Sequence, residues 1–229
     1  MLVGRRAVTS RVTVVSTGLF APTKAICLAS VAAQRGVAVD HVYIEAGEQA
    51  ERLTVSENLF RAIHALPPER IVAWIDGDDW LAHPMALARA AKEHESGAWV
   101  TYGQFMYADG APGFAAPYAG TEVREQAWKA THLKTFRAGL FQRIDVDDLQ
   151  LDGEWVSLAV DMAIMFPMLE MAGPGRARFI SDVLYVYNFR SSFQANANPR
   201  ERARELECDR RIRAKRPYAL LEEGAPWVS

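Results

Sequence analysis

The chain has 229 residues, half of them hydrophobic and 24% charged, which suits one globular unit with a substantial core and excludes disorder as the default state. A formal net charge of -2 and a pI near 6.2 give no global drive toward nucleic acid or an anionic membrane, although a local basic patch stays open. Two cysteines, Cys27 and Cys208, stand far apart and outside any CxxC spacing, which argues against a disulfide framework or a cysteine zinc site and fits a reducing cytoplasm.

Met1 to Arg11 lacks the apolar core of a signal peptide, and no later stretch is apolar for the length of a membrane span, so a soluble, cytoplasmic chain is expected. In chain order, the β-branched run Arg11 to Thr17 reads as a buried strand ending at Gly18. Thr23 to Arg35 has helical apolar spacing and Gly36 as its C-cap. His41 to Ile44 reads as a second strand, and Leu53 to Leu66 as a helix stopped by Pro67 and Pro68. Arg70 to Ile75 is a third apolar strand that delivers Asp76, Gly77, Asp78 and Asp79 at its carboxyl end. A helix over Met85 to His94 and a strand over Trp99 to Met106 follow, then a Gly/Ala/Pro-rich loop from Asp109 to Gly120. The second half predicts a helix near Glu122 to Leu140, an acidic loop, a helix over Glu154 to Met171, a strand over Val183 to Tyr187 and a C-terminal helix over Arg200 to Arg216. Alternating strands and helices argue a mostly parallel, three-layer α/β sheet, and such sheets bind ligands beyond the carboxyl ends of their strands.

That edge is where Asp76 to Asp79 falls. In an extended segment Asp76 and Asp78 share a face, and Gly77 between them removes side-chain bulk where a phosphate would approach. Hard divalent cations take carboxylate and phosphate oxygens, so the pair suits magnesium or manganese, with Asp78 the first choice of ligand and Asp76 beside it. The competing reading is an Asp-Gly turn carrying solvated acids. An EF-hand is excluded because Trp80 and Leu81 occupy positions where that loop needs an oxygen ligand and a glycine. Asp145 to Asp148 repeats the spelling without an apolar strand in front and reads as a solvated acidic loop. Asp161 is a lone acid in the apolar stretch Trp155 to Gly173, which suits either a general base in a cleft or an acid paired within the fold, while Glu170 reads as solvated or capping.

An apolar strand, then Asp-Gly-Asp-Asp-Trp-Leu, then a helix resembles the DXD segment of family-2-type glycosyltransferases of the GT-A fold, and the likeness runs from Arg11 to about Ser192. The resemblance implies a nucleotide-sugar-binding half over about 11–110, an acceptor half over about 120–192 and a helical tail over 193–229. It implies donor contacts from Thr17 in the hydroxyl-rich turn, Glu45 on the base, Asn58, Asp76, Gly77 and Asp78, with Glu57 standing where the family carries arginine. Lys134 or Arg137 would neutralise the leaving diphosphate, the competing reading being a solvated basic helix face. Asp161 matches the family's acceptor base, with Val160 where a glutamate usually precedes it. His132 is an acceptor or lid candidate, as are Asn188, Arg190 and Ser191, in a loop where family members carry a histidine.

The implied activity is metal-dependent, inverting transfer of a sugar from a nucleoside diphosphate, UDP-sugar first, to a hydroxyl of a glycan, lipid or other compound, with Mn2+ or Mg2+ as cofactor. A nucleotidyltransferase making nucleotide-sugars is the enzymatic alternative, and a catalytically silent carbohydrate-binding relative the non-enzymatic one. Arg200 to Arg216 reads as a solvated helix, with an anionic partner, nucleic acid included, left open.

Overall fold

The computed structural model describes residues 10–18, 21–45, 53–188 and 198–222. Alternation on short apolar strands sets its layers. In β1 (Arg11–Gly18) Val12 and Val14 face one side of the sheet and Val15 the other, and in β3 (Ile71–Asp76) Ile71, Ala73 and Ile75 oppose Val72 and Trp74. A sheet apolar on both faces must be covered on both. On one side α1 (Ala21–Ala32) and α3 (Ala86–Glu95) supply Cys27, Val31, Leu87 and Ala90. On the other, α2 (Val55–His64), α4 (Ala138–Phe141) and α5 (Val160–Arg176) supply Leu59, Ile63, Phe141 and Ile164.

The remaining strands are β2 (Ala38–Glu45), β4 (Trp80–Leu81), β5 (Val100–Tyr107), β6 (Lys134–Arg137), the small hairpin β7 (Gln150–Leu151) and β8 (Glu154–Trp155), and β9 (Ala177–Tyr187). The main sheet has the order β2-β1-β3-β6-β5-β9-β4. β1, β2, β3, β5 and β9 run in one direction and β6 and β4 against them, so the sheet is mostly parallel, as expected. One edge therefore collects the ends of five strands, Gly18, Glu45, Asp76, Tyr107 and Tyr187, together with the beginning of β6 at Lys134. Local signals hold the first half in place: Thr54 caps α2 by accepting from the Glu57 amide, and Gly97, at φ 98°, follows α3. No helix among the described residues is long and apolar enough to cross a membrane.

The second half departs from the sequence reading. The helix expected over Glu122 to Leu140 is instead a 3-10 turn at Val123–Glu125, irregular chain, β6 and the one-turn α4. Lys134 to Arg137 fills the slot between β3 and β5, where Val72 pairs with Phe136 and Thr101 with Thr135, and sheet pairing outweighs the local helical pattern. The helix expected from Glu154 begins only at Val160, because Asp152 and Gly153, at φ 56° and 80°, make the two-residue turn of the β7-β8 hairpin.

Glu170 is neither solvated nor a cap. Arg124 grips it with a fork of bonds, Nε to Oε1 at 2.5 Å and Nη2 to Oε2 at 2.9 Å, and the two side chains are 6% and 5% exposed. The same guanidinium donates to the Ile212 carbonyl at the end of α6 (Pro199–Arg213), and the Tyr218 amide donates to Glu170. The pair thus latches α6 and the following chain onto α5. Removing one partner of a buried pair leaves the other uncompensated, so Arg124→Met is expected to lower the unfolding free energy in urea by about 3–5 kcal/mol, with Arg124→Met/Glu170→Met recovering most of the loss. A loss under about 1 kcal/mol for the single variant would show a pair no stronger than a surface one.

Candidate functional site

β3 ends in a tight turn, with the Asp79 amide on the Asp76 carbonyl at 3.0 Å and the Gly77 amide on the Thr17 carbonyl at 2.8 Å. A Cβ at Gly77 would stand 2.7 Å from the Tyr43 hydroxyl, 2.8 Å from the Gly18 Cα and 2.9 Å from the Thr17 oxygen. The glycine is thus required by close approach of the ends of β1 and β3 beneath Tyr43, and the room expected there for a phosphate is filled by the protein itself.

Asp76 and Asp79 are joined through Tyr185 of β9, whose hydroxyl accepts from the Asp76 amide at 3.1 Å and donates to Asp79 Oδ2 at 2.7 Å. The Asn188 amide donates to Asp79 Oδ1 at 2.7 Å, so Asn188 reaches the site through its backbone. His132, two residues before β6, lies flat against Tyr185 and Tyr187 at centroid distances of 4.5 and 5.3 Å, with Nδ1 4.0 Å from Asp76 Oδ2. That nitrogen is buried and has no hydrogen-bond partner among the described residues. Burial, with the nearby Lys134 charge, holds the imidazole well below its usual pKa and therefore neutral, the form that binds metals. Ligand atoms of Asp76, Asp79 and His132 all lie within 4.8 Å of one another. Two carboxylates and a neutral, unpartnered imidazole fit a divalent ion. Asp78, the first choice from sequence, is half-buried and falls outside this group, although its charge acts on Asp76 and Asp79.

Desolvation pushes the Asp76 pKa up to about 7; the Lys134 charge opposes the rise, and Asp161 and Asp78 add to it. Asp79 is likewise held well above the usual carboxylate range, first by burial and then by Asp76 and Asp78.

Asp161 sits in the first turn of α5, just after Ala159, whose left-handed backbone at φ 54° is the kind of strain found at functional sites. Its Oδ2 lies 2.9 Å from Nζ of Lys134, which is fully buried and rests 3.9 Å above the Trp74 ring. Lys134 thus pairs with Asp161 against Trp74 and lies near enough to Asp76 for its charge to act there. Asp76 and Asp161, each 30% exposed, line one cleft of about 750 Å³ together with His132.

The other expected residues divide. Thr17 pairs in register with Asp76, and its buried hydroxyl has no partner among the described residues. Glu45 ends β2 and is paired with Lys24. Asn58 is buried in α2 with its amide turned to the Leu53 carbonyl at 3.4 Å. Arg137 pairs with Ile71 at the far end of β3 and donates to the Glu69 and His94 carbonyls, so it stands at the opposite edge of the sheet and is corrected as a diphosphate contact. Arg190 and Ser191 lie outside the described residues. In the rival acidic run, Asp145 caps a 3-10 turn, and Asp148 accepts from Tyr218 and pairs with Lys215. Sequence reasoning took in Asp79 only as the last residue of the acidic run and missed Tyr43 and Tyr185, because their contacts arise between strands that only the fold brings together.

A carboxylate whose pKa is raised by folding costs stability once it ionises. That cost is complete above about pH 7 and is absent below its unfolded value of 3.8. Without divalent ions, Asp76→Asn is therefore expected to be more stable than the parent by about 1–2 kcal/mol at pH 8, the gain shrinking as pH falls toward 4 in urea titrations. A gain that grew on acidification would contradict the assignment.

No protein-family model and no curated protein sequence matches the chain. Among solved structures, S. aureus TarS 1-349 is 16% identical, covering 80% of this chain and 62% of its own, with a TM-score of 0.54. The mannosyltransferase PcManGT from Pyrobaculum calidifontis, in complex with GDP-Man and Mn2+, is 17% identical over 93% of this chain and 67% of its own, with a TM-score of 0.56. Glucosyl-3-phosphoglycerate synthase from Mycobacterium tuberculosis, in complex with Mn2+, UDP and phosphoglyceric acid, is 13% identical over 93% of this chain and 81% of its own, also at 0.56. The chain spans only 36% of the longer TarS structure. At these identities the likeness is one of fold, and the chain has the GT-A fold.

Proposed function

We propose that the chain is a metal-dependent, inverting glycosyltransferase that moves a sugar from a nucleoside-diphosphate donor, UDP-sugar first, to an acceptor hydroxyl. The observation that carries this reading is one cleft lined by Asp76, His132 and Asp161, with Asp79 behind it offering a ligand atom within 4.8 Å of those of Asp76 and His132. Two proteins that share the fold are known in complexes with Mn2+, one with GDP-Man and one with UDP, which supports a metal and a nucleotide-sugar donor for this chain.

Asp76, Asp79 and His132 would hold the ion, with Asp78 as a further oxygen source. When bound, the ion would offset charge on the departing diphosphate. Thr17 and Glu45, at the ends of β1 and β2, would contact the nucleoside. Asp161 would accept the proton of the attacking hydroxyl, its carboxylate held in orientation by Lys134. Attack from the Asp161 side, opposite the leaving diphosphate, inverts the anomeric carbon.

Manganese with a nucleoside diphosphate at a hundredfold excess over Kd is expected to stabilise the protein by about 2.7 kcal/mol in thermal melts. His132→Ala should lose the manganese-dependent part of that stabilisation. Asp161→Asn should keep it while sugar transfer falls by about 10²–10⁴. Full transfer by Asp161→Asn would remove its role as base, and absence of any nucleotide-dependent shift would overturn the donor assignment.

A further inference from the structure

The acceptor side of the cleft has a definite chemical character. One face of α6 forms its wall, with Arg202, Glu205, Leu206, Asp209 and Arg213 at helical spacing. Both arginines are already committed. Arg202 pairs with Glu205 at 2.8 Å, and Arg213 pairs with Asp209 at 2.5 Å and also donates to the Arg124 and Gln126 carbonyls. Against these two cations the described lining sets four carboxylates, Asp76, Asp161, Glu205 and Asp209. Elsewhere on α6, Arg211 forks onto Asp152 and Arg210 onto Glu207. Within the cleft, an anionic acceptor would therefore meet more carboxylates than cations among the described lining residues, and both of those cations are already paired.

The rest of the wall is apolar and rich in aromatic rings. Tyr107, Phe114, Trp128 and Tyr187 all line the cleft. Phe114 is 57% exposed, the one aromatic among the exposed large hydrophobic residues described, and it stands edge-on to the buried Phe105 at 5.6 Å. Carboxylates accept hydrogen bonds from hydroxyl groups, and aromatic faces pack against the C-H face of a sugar ring.

We propose that the acceptor is a neutral carbohydrate, one sugar ring of which packs on Phe114 while its hydroxyl groups donate to the carboxylates of the α6 wall. This rests on the transferase reading above and names the substrate class of that site. The test is binding of the fluorescently labelled full chain, with manganese and UDP, to an array carrying neutral glycans alongside their sialylated, sulfated and phosphorylated counterparts. Neutral glycans should be retained and acidic counterparts bound at least about tenfold more weakly, a difference of about one unit on a logarithmic affinity scale. Phe114→Ala should weaken retention about five- to tenfold, Phe114→Tyr should restore it, and the thermal shift with manganese and UDP should stay unchanged in both variants. Preference for acidic glycans, retention of no glycan, or indifference to Phe114→Ala would overturn the acceptor proposal while leaving the donor assignment standing. Loss of the manganese and UDP shift in the parent protein would instead overturn the function on which it rests.

Discussion

Lys134 brings a basic side chain to a place where none of it is exposed. Its ammonium is held between the Asp161 carboxylate and the face of Trp74, and its charge reaches Asp76. A buried ammonium is tolerated only when such partners are present. β6 must therefore enter the sheet in the register that sets Lys134 opposite Trp74, and that register carries His132 to Asp76 two residues away. One short antiparallel strand ties the acidic end of β3 to the first turn of α5, and the two sides of the cleft are thereby held in fixed relation.

The same edge concentrates negative charge beyond what Lys134 offsets. Asp76, Asp78 and Asp79 follow one another within a turn, Asp161 faces them, and burial raises the pKa of Asp76 and Asp79. A protein retains such crowding where a cation or a proton is to be handled, and perturbed acids in a cleft mark functional sites for that reason. The division of labour follows from environment. Asp76 and Asp79 share Tyr185 and face a neutral imidazole, which suits a metal, whereas Asp161 is oriented by a lysine on the other side.

The outer wall depends on a different buried pair. Arg124 and Glu170 join the 3-10 turn at Val123–Glu125, α5 and the end of α6, so α6 is positioned from beneath by a buried charge pair that is not among the residues lining the Asp76–Asp161 cleft. Fork-to-fork geometry supplies direction as well as energy, which is what a helix with few buried side chains of its own requires.

Read from residues alone, the first half of the fold and its acidic edge were accessible, because short apolar strands and stops such as Gly36 and Pro67 are local signals and need no distant partner to be understood. The DXD-type run was placed at a strand end for the same reason, and Asp161 stood out as a lone acid in apolar sequence. What needed the tertiary structure was every feature created by long-range pairing. Lys134 read as a diphosphate contact or a helix-face cation, and β6 between β3 and β5 instead buries it against Asp161 and Trp74; Glu170 read as solvated or capping until Arg124 reached it from 46 positions away; and Gly77 seemed to make room for a phosphate until Gly18 and Tyr43 filled that room. His132, Asp79 and Tyr185 form one group only because strands distant in sequence end at one edge. Periodicity reports which face of an element is buried; the partner waiting there is decided by the packing of the whole chain.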